Sequence, residues 1–211
     1  MLDKRKVAVL SAEFFGTFVL AMAVLSMVTN VSLAFFPALA AGLVLMVMVM
    51  TIGAISGAHI NPAVTLALWS QRKLQTAEAL AYISVQVLAG FVAWATAQWL
   101  LDVDIDESIT GSLDWRVLVA EALGGFTFAV GIAAAVGQKL GGAIQALAIG
   151  SSLTIGIFLA SLGGSGIVNP AVAIALHSYS ISYIVGPVLG AVLGMVFYKS
   201  VLSAALSKKK R

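Results

Sequence analysis

The sequence predicts an all-α membrane protein: six transmembrane helices and two re-entrant half-helices, arranged as an inverted repeat. Three observations predict it. Of 211 residues, 61% are apolar and only 10% charged, against roughly 45–50% and about 25% in a soluble domain. Residues 14–71 and 140–198 contain no Asp, Glu, Lys or Arg. The chain also repeats itself at a fixed offset, described below. A soluble domain of this length has too much surface for its volume to hide so much apolar area. A soluble enzyme, a nucleic-acid binder and a disordered chain are therefore excluded. A membrane β-barrel would alternate polar and apolar residues, which these long apolar runs do not. Without cysteine there is no disulfide, thiol nucleophile or thiolate metal site. No cofactor or metal site is expected, and the expected surroundings are membrane lipid.

One span needs about 20 residues to cross a ~30 Å hydrocarbon core, so each long uncharged run holds two spans with a stretch left over. Gly, Pro and Asn breaks then place spans at 7–28, 35–55, 77–100, 115–136, 143–162 and 181–204. The leftover stretches are 56–70 and 163–178. The reading is one channel-like domain over 1–211, with repeats at about 7–100 and 115–204 joined by a linker at 101–114. Lys4, Arg5 and Lys6 before an apolar run resemble a signal peptide, but Glu13 within that run argues against cleavage.

Eleven of the twelve basic residues fall on one side of this arrangement, Arg116 being opposite; Asp102, Asp104, Asp106, Glu107 and Asp114 lie on the other. The positive-inside rule then puts both termini in the cytoplasm. The terminal Lys208 to Arg211 run reads as a headgroup-contacting tail. Asn30-Val31-Ser32 is a sequon too near the membrane to credit.

Aligning 7–21 with 115–129, an offset of 108, gives seven identities in fifteen, among them Glu13/Glu121 and Gly16/Gly124. The same offset aligns 61–68 with 169–176 and gives six in eight. Each unit holds three spans, an odd number, so the second copy sits inverted. Inverted repeats place a functional site at the midplane, between the halves.

Both leftover stretches contain Asn-Pro-Ala: Asn61-Pro62-Ala63 and Asn169-Pro170-Ala171. Asn is a favoured N-cap and Pro a favoured first helical residue, so each motif starts a helix. Val64–Ser70 and Val172–Ser178 supply about ten residues per helix, half a bilayer at 1.5 Å per residue. The two N-termini meet near the centre. Each carries about half a positive charge, and together they form a barrier to cations. Each amide oxygen caps its own helix, leaving the NH2 donors for a lumen. Gly57, Ala58, His59 and Ile60, with Ser165, Gly166, Ile167 and Val168, form non-helical backbone. At this depth such backbone is tolerated where it lines a water-filled path, and its carbonyls become a ladder of acceptors.

The run Ser56 to Thr65, with Ala12 to Thr17 and Tyr183 to Ala191, resembles the major intrinsic protein family of aquaporins and aquaglyceroporins. The resemblance covers about residues 7 to 200. It implies the aquaporin-like bundle, one pore per protomer and a homotetramer; a plasma-membrane location is expected, with water, glycerol, urea or ammonia as permeants. It implies that Glu13 and Glu121 hold the re-entrant loops; the rival reading of an intramembrane acid is a proton relay. At His59 the backbone carbonyl is the expected pore element, with a pH-gating side chain as the rival. His177 reads as a mouth residue. Gly186, Gly190 and Gly194 allow close helix approach.

The sequence departs from the family where an Arg usually follows the second motif: here it is Val172. By spacing, the other filter positions are Ala41, Ile157 and Gly166, with Phe158 the neighbour that competes with Ile157. The filter lacks the usual Arg, and small Ala41 and Gly166 predict a wide, apolar one. An apolar constriction closed by Ile157 or Phe158 gates by dewetting instead. The expected function is a passive channel for small neutral solutes, without enzyme chemistry. The alternatives are an inverted-repeat secondary transporter and a poorly conducting structural protein on the same fold.

Overall fold

A computed structural model describes residues 3–30, 35–102 and 113–207. Asp104, Asp106 and Glu107, Val31 and Ser32 of the sequon, and the Lys208–Arg211 tail lie outside these ranges. The chain forms α1 (Lys4–Asn30), α2 (Phe35–Ser56), α3 (Pro62–Ser70), α4 (Thr76–Leu101), α5 (Trp115–Gly137), α6 (Gly142–Ala160), α7 (Pro170–Ala175) and α8 (Ile181–Phe197). A π-helical turn, Tyr198–Leu202, and a short α9 (Ser203–Ser207) follow. Six of these segments are long and apolar enough to cross a membrane: α1, α2, α4, α5, α6 and the run from Ile181 to Ala205. They coincide with the six expected spans to within a few residues.

Local chemistry sets the ends. Asn61 and Asn169 cap α3 and α7: each Oδ1 accepts from the backbone N–H two residues on, at 2.8 and 3.0 Å. Pro62 and Pro170 take the first helical position, where the missing N–H costs nothing. Asp114 caps α5 by accepting from Arg116 N–H at 2.8 Å. Four helices, α3, α4, α5 and α7, stop at a left-handed residue that is not glycine: Arg72, Asp102, Lys139 and His177, with φ of 58°, 51°, 56° and 52°. After α3, α5 and α7 the next N–H turns back to a carbonyl five residues earlier, at 3.0, 3.1 and 2.8 Å. The end residues of these three are basic, which suits the negative pole of a helix.

The 108-residue repeat is visible in the packing. α1 packs on α2 and α4, and α5 on α6 and α8. α2 and α6 join the halves at Gly42 and Gly150, themselves one repeat apart; a Cβ on Gly42 would come within 2.8 Å of Gly150 O, and one on Gly150 would strike Gly42 O. Each half-helix rests on a long helix of the other half, α3 on α8 and α7 on α4. Connections bearing Arg72, Lys73 and Lys139 lie at one end of the bundle, here the basic end. Asp102 and Asp114 mark the acidic end.

Two features depart from strict repetition. The second half-helix ends at Ala175, shorter than the ten residues expected. α7 ends and α8 begins three residues earlier than the repeat of α3 and α4 would put them. The whole connector has moved by about one turn, with Ser178 N–H closing on Ala173 O at 2.8 Å and Ser180 capping α8 at 3.3 Å. The last span is not continuous α-helix, since the π-helical turn interrupts it.

Gly186, Gly190 and Gly194 put the backbone of α8 against the backbone of α5. A Cβ on Gly186 would lie 2.8 Å from Leu118 O, and one on Gly190 would strike Ala122 O. Gly190→Val should therefore force the helices apart at a cost of about 1–3 kcal/mol or more. It should sharply lower the yield of monodisperse protein in size-exclusion chromatography, whereas Gly142→Ala, with nothing within 4 Å of the added atom, should not.

Candidate permeation site

The two interrupted stretches meet through their asparagines. Asn61 Nδ2 donates to Val168 O at 2.9 Å, and Asn169 Nδ2 donates to Ile60 O at 3.0 Å. Each motif thus binds the residue that precedes the other, and the N-termini of α3 and α7 face one another. The sequence reading left both amide hydrogens of each Asn for a lumen. The structure commits one hydrogen of each across the interface, because two bare carbonyls meet there and need donors. One N–H per amide remains, as does a second lone pair on each carbonyl.

The loops before the motifs are strained in the same way. Ala58 and Gly166, one repeat apart, have φ of 49° and 67°; Ile60 and Val168, also one repeat apart, have φ of 41° and 54°. A β-branched residue in the left-handed region is unfavourable by about 1–3 kcal/mol and persists only where its surroundings over-determine it. Here two buried carboxylates do so. Glu13 Oε1 accepts from His59 N–H at 2.9 Å and Oε2 from Ile60 N–H at 2.8 Å. Glu121 accepts from Ile167 N–H at 2.7 Å and Val168 N–H at 2.6 Å. Both glutamates are fully buried.

This geometry has counterparts among known proteins. The model of the major intrinsic protein family matches residues 3–198. The chain belongs to that family. It is 32% identical to aquaporin NIP1-1 of Arabidopsis thaliana, over 91% of this chain and 73% of that one. It is 32% identical to nodulin-26 of Glycine max, over 77% of this chain and 64% of that one. It spans 64% of the length of a probable NIP-type aquaporin of Nicotiana alata. Its fold matches the aquaglyceroporin of Plasmodium falciparum with a TM-score of 0.73 at 22% identity, covering 96% of this chain and 99% of that one. Major intrinsic proteins are non-enzymatic, multi-pass membrane channels that typically form tetramers and pass small neutral solutes.

The four filter positions carried over from the family are all buried. Ala41, Ile157 and Val172 are 2%, 5% and 3% exposed, all within one apolar cluster. Gly166 packs directly on Ile157: a Cβ there would come to 2.7 Å from Ile157 O. Phe158 points away and stacks on Phe35, with ring centroids 5.9 Å apart. Of the two neighbours, Ile157 is the inward one. In the basic half, a cavity of about 730 Å³ opens between α2, α3, α5, α6 and the loop Gly57–His59. His177, beyond the end of α7, stacks on Trp94 with centroids 4.2 Å apart.

Sequence reasoning missed the side chains around Glu13. Ser56 Oγ donates to Oε1 at 2.7 Å and Gln86 Nε2 to Oε2 at 2.8 Å. Tyr82 OH donates to Ser56 O at 2.8 Å. In the other half, Tyr183 OH accepts from Ser165 N–H at 3.0 Å. A signal for Gln86 was present: an amide inside an uncharged span needs partners.

Each glutamate uses both oxygens as acceptors of backbone N–H groups. Glu13→Gln or Glu121→Gln turns one acceptor into a donor facing a donor. Each should cost about 1–3 kcal/mol, read as a lower melting temperature and lower yield of assembled protein. The pH dependence of any flux should stay as in the parent; a large change in it at normal yield would mark a proton relay instead.

Proposed function

We propose that this protein is a passive channel for water and small neutral solutes of the glycerol, urea and ammonia class. The observation that carries the reading is the pair of Asn amides at two opposed half-helix N-termini, each retaining one free N–H. A passing oxygen accepts from both amides, while the positive poles of α3 and α7 repel cations. Gly57 to Ile60 and Ser165 to Val168 supply the acceptor carbonyls on either side. The whole chain is one channel domain. It assembles as a homotetramer in the plasma membrane, with the basic end and both termini in the cytoplasm. Coupling to an ion gradient would need intramembrane charge. Among the described residues the buried charged side chains are Glu13 and Glu121, and both are engaged by loop N–H groups.

The filter positions Ala41, Ile157, Gly166 and Val172 are apolar and set the size limit. Without Arg it offers neither a donor fork nor a fixed positive charge. Size and hydrogen-bond discrimination against small neutral solutes are relaxed there, and cation exclusion falls to the half-helix poles. The burial of Ala41, Ile157 and Val172 favours a second reading, in which an apolar constriction restrains flux by dewetting.

Stopped-flow light scattering on proteoliposomes with water, glycerol, urea and ammonia gradients tests this. The parent should pass water and at least one larger neutral solute. Val172→Arg should lower glycerol or urea flux relative to water by roughly tenfold or more. Water flux without any larger solute would reject the wide filter. Slow water flux in the parent that rises in Ile157→Ala would select the dewetting reading. No flux of any kind would reject the channel.

A further inference from the structure

Polar side chains are distributed unequally between the two halves of the proposed path. Ala41, Ile157, Gly166 and Val172 carry no side-chain donor or acceptor. In the basic half, His59 lines the large cavity, and its ring is held from behind. His59 Nδ1 lies 3.2 Å from Thr65 Oγ1, and the ring lies against Tyr82 with centroids 4.9 Å apart. Gln86 Nε2 donates to Thr65 Oγ1 at 3.1 Å and to Glu13 Oε2 at 2.8 Å.

The chain of bonds has a direction. Both Glu13 oxygens accept from loop N–H groups, and Oε2 takes the amide nitrogen of Gln86 as a further donor. The second hydrogen of that nitrogen goes to Thr65. The Thr65 proton then has three acceptors in reach, Asn61 O at 3.2 Å, His59 Nδ1 at 3.2 Å and Gln86 Oε1 at 3.3 Å. In each arrangement Nδ1 is engaged by Thr65, and Nε2 is left on the side of Gly57. A Cβ on Gly57 would come within 3.1 Å of Nε2, so the absent side chain keeps that nitrogen uncovered. Nε2 is a donor when Thr65 gives its proton to Nδ1, and an acceptor when the proton goes to Asn61 O or Gln86 Oε1. Hydroxyl- and amide-bearing solutes can use both forms.

The second half cannot do this. One repeat on, His59 and Thr65 correspond to Ile167 and Ala173. We propose that His59, oriented by the Glu13–Gln86–Thr65 chain, is the specificity-determining side chain of this channel. Selection among hydroxyl- and amide-bearing permeants then takes place in the basic-end cavity, not at the four apolar filter positions. Thr65 and Gln86 are positioning residues. The inference rests on the channel reading above.

The test compares glycerol and urea flux with water flux in the same proteoliposomes, normalised to assembled protein. His59→Leu removes the cavity-facing nitrogen and leaves the buried chain in place. It should lower the solute-to-water ratio by roughly two- to tenfold, the worth of one hydrogen bond. Thr65→Val removes the hydroxyl that orients the ring and should move the ratio the same way, and Thr65→Ser should restore it. If Thr65→Val fails to assemble, His59→Leu alone decides. A ratio unchanged in His59→Leu overturns the proposal, as does a fall in all fluxes by the same factor. A parent that passes neither water nor solute overturns the channel reading and this inference with it, and is told apart because no ratio exists.

Discussion

Everything in this structure depends on how two stretches of non-helical backbone are satisfied at membrane depth. In hydrocarbon no water reaches a bare N–H or C=O, and each orphan is costly. Glu13 and Glu121 take the N–H groups at 59–60 and 167–168. The asparagines take the carbonyls of Ile60 and Val168. The two loops are therefore solved together, each motif supplying the donor that the other lacks. Neither half can place its loop alone, which gives a physical reason for the inverted repeat to be retained as a unit.

That mutual dependence explains which features were legible in the sequence. The six spans follow from apolar length, and the inversion from an odd number of spans per repeat. Asn-Pro-Ala reads as a helix start because cap and first-turn preferences are local. Contacts across the halves are not local. Nothing in the string Asn61-Pro62-Ala63 says that its amide reaches Val168, so one N–H was assigned to a lumen when it is spent on a carbonyl. The shortened α7 was also hidden: 172–178 is as apolar as 64–70, and only the left-handed turn at His177 ends the helix early. Ile157 and Phe158 could not be ranked by spacing, and the stacking of Phe158 on Phe35 separates them.

A symmetric scaffold here carries asymmetric side chains. Glu13 is embraced by Ser56 and Gln86 as well as by backbone, whereas the repeat mate of Ser56 is Gly164. On α8, Gly194 lets the helix close on Phe126 O of α5. The polar half then borders the wide cavity, and the apolar half borders the buried filter positions.

The absence of an Arg beside the second motif raises the question of what keeps cations out. The positive pole of a helix comes from the unpaired N–H groups of its first turn and decays within that turn. Shortening α7 at its far end therefore leaves its pole at Asn169 almost intact. The cost lies elsewhere, because the negative pole of a six-residue helix is only about 9 Å away. Both half-helices place basic residues at that end, Arg72 and Lys73 after α3 and His177 after α7. Two such residues follow α3 and one follows α7. In the proposed channel, the barrier at the centre is thus built from the first turns of α3 and α7, and the acidic-half mouth has less positive charge to reinforce it than the basic end.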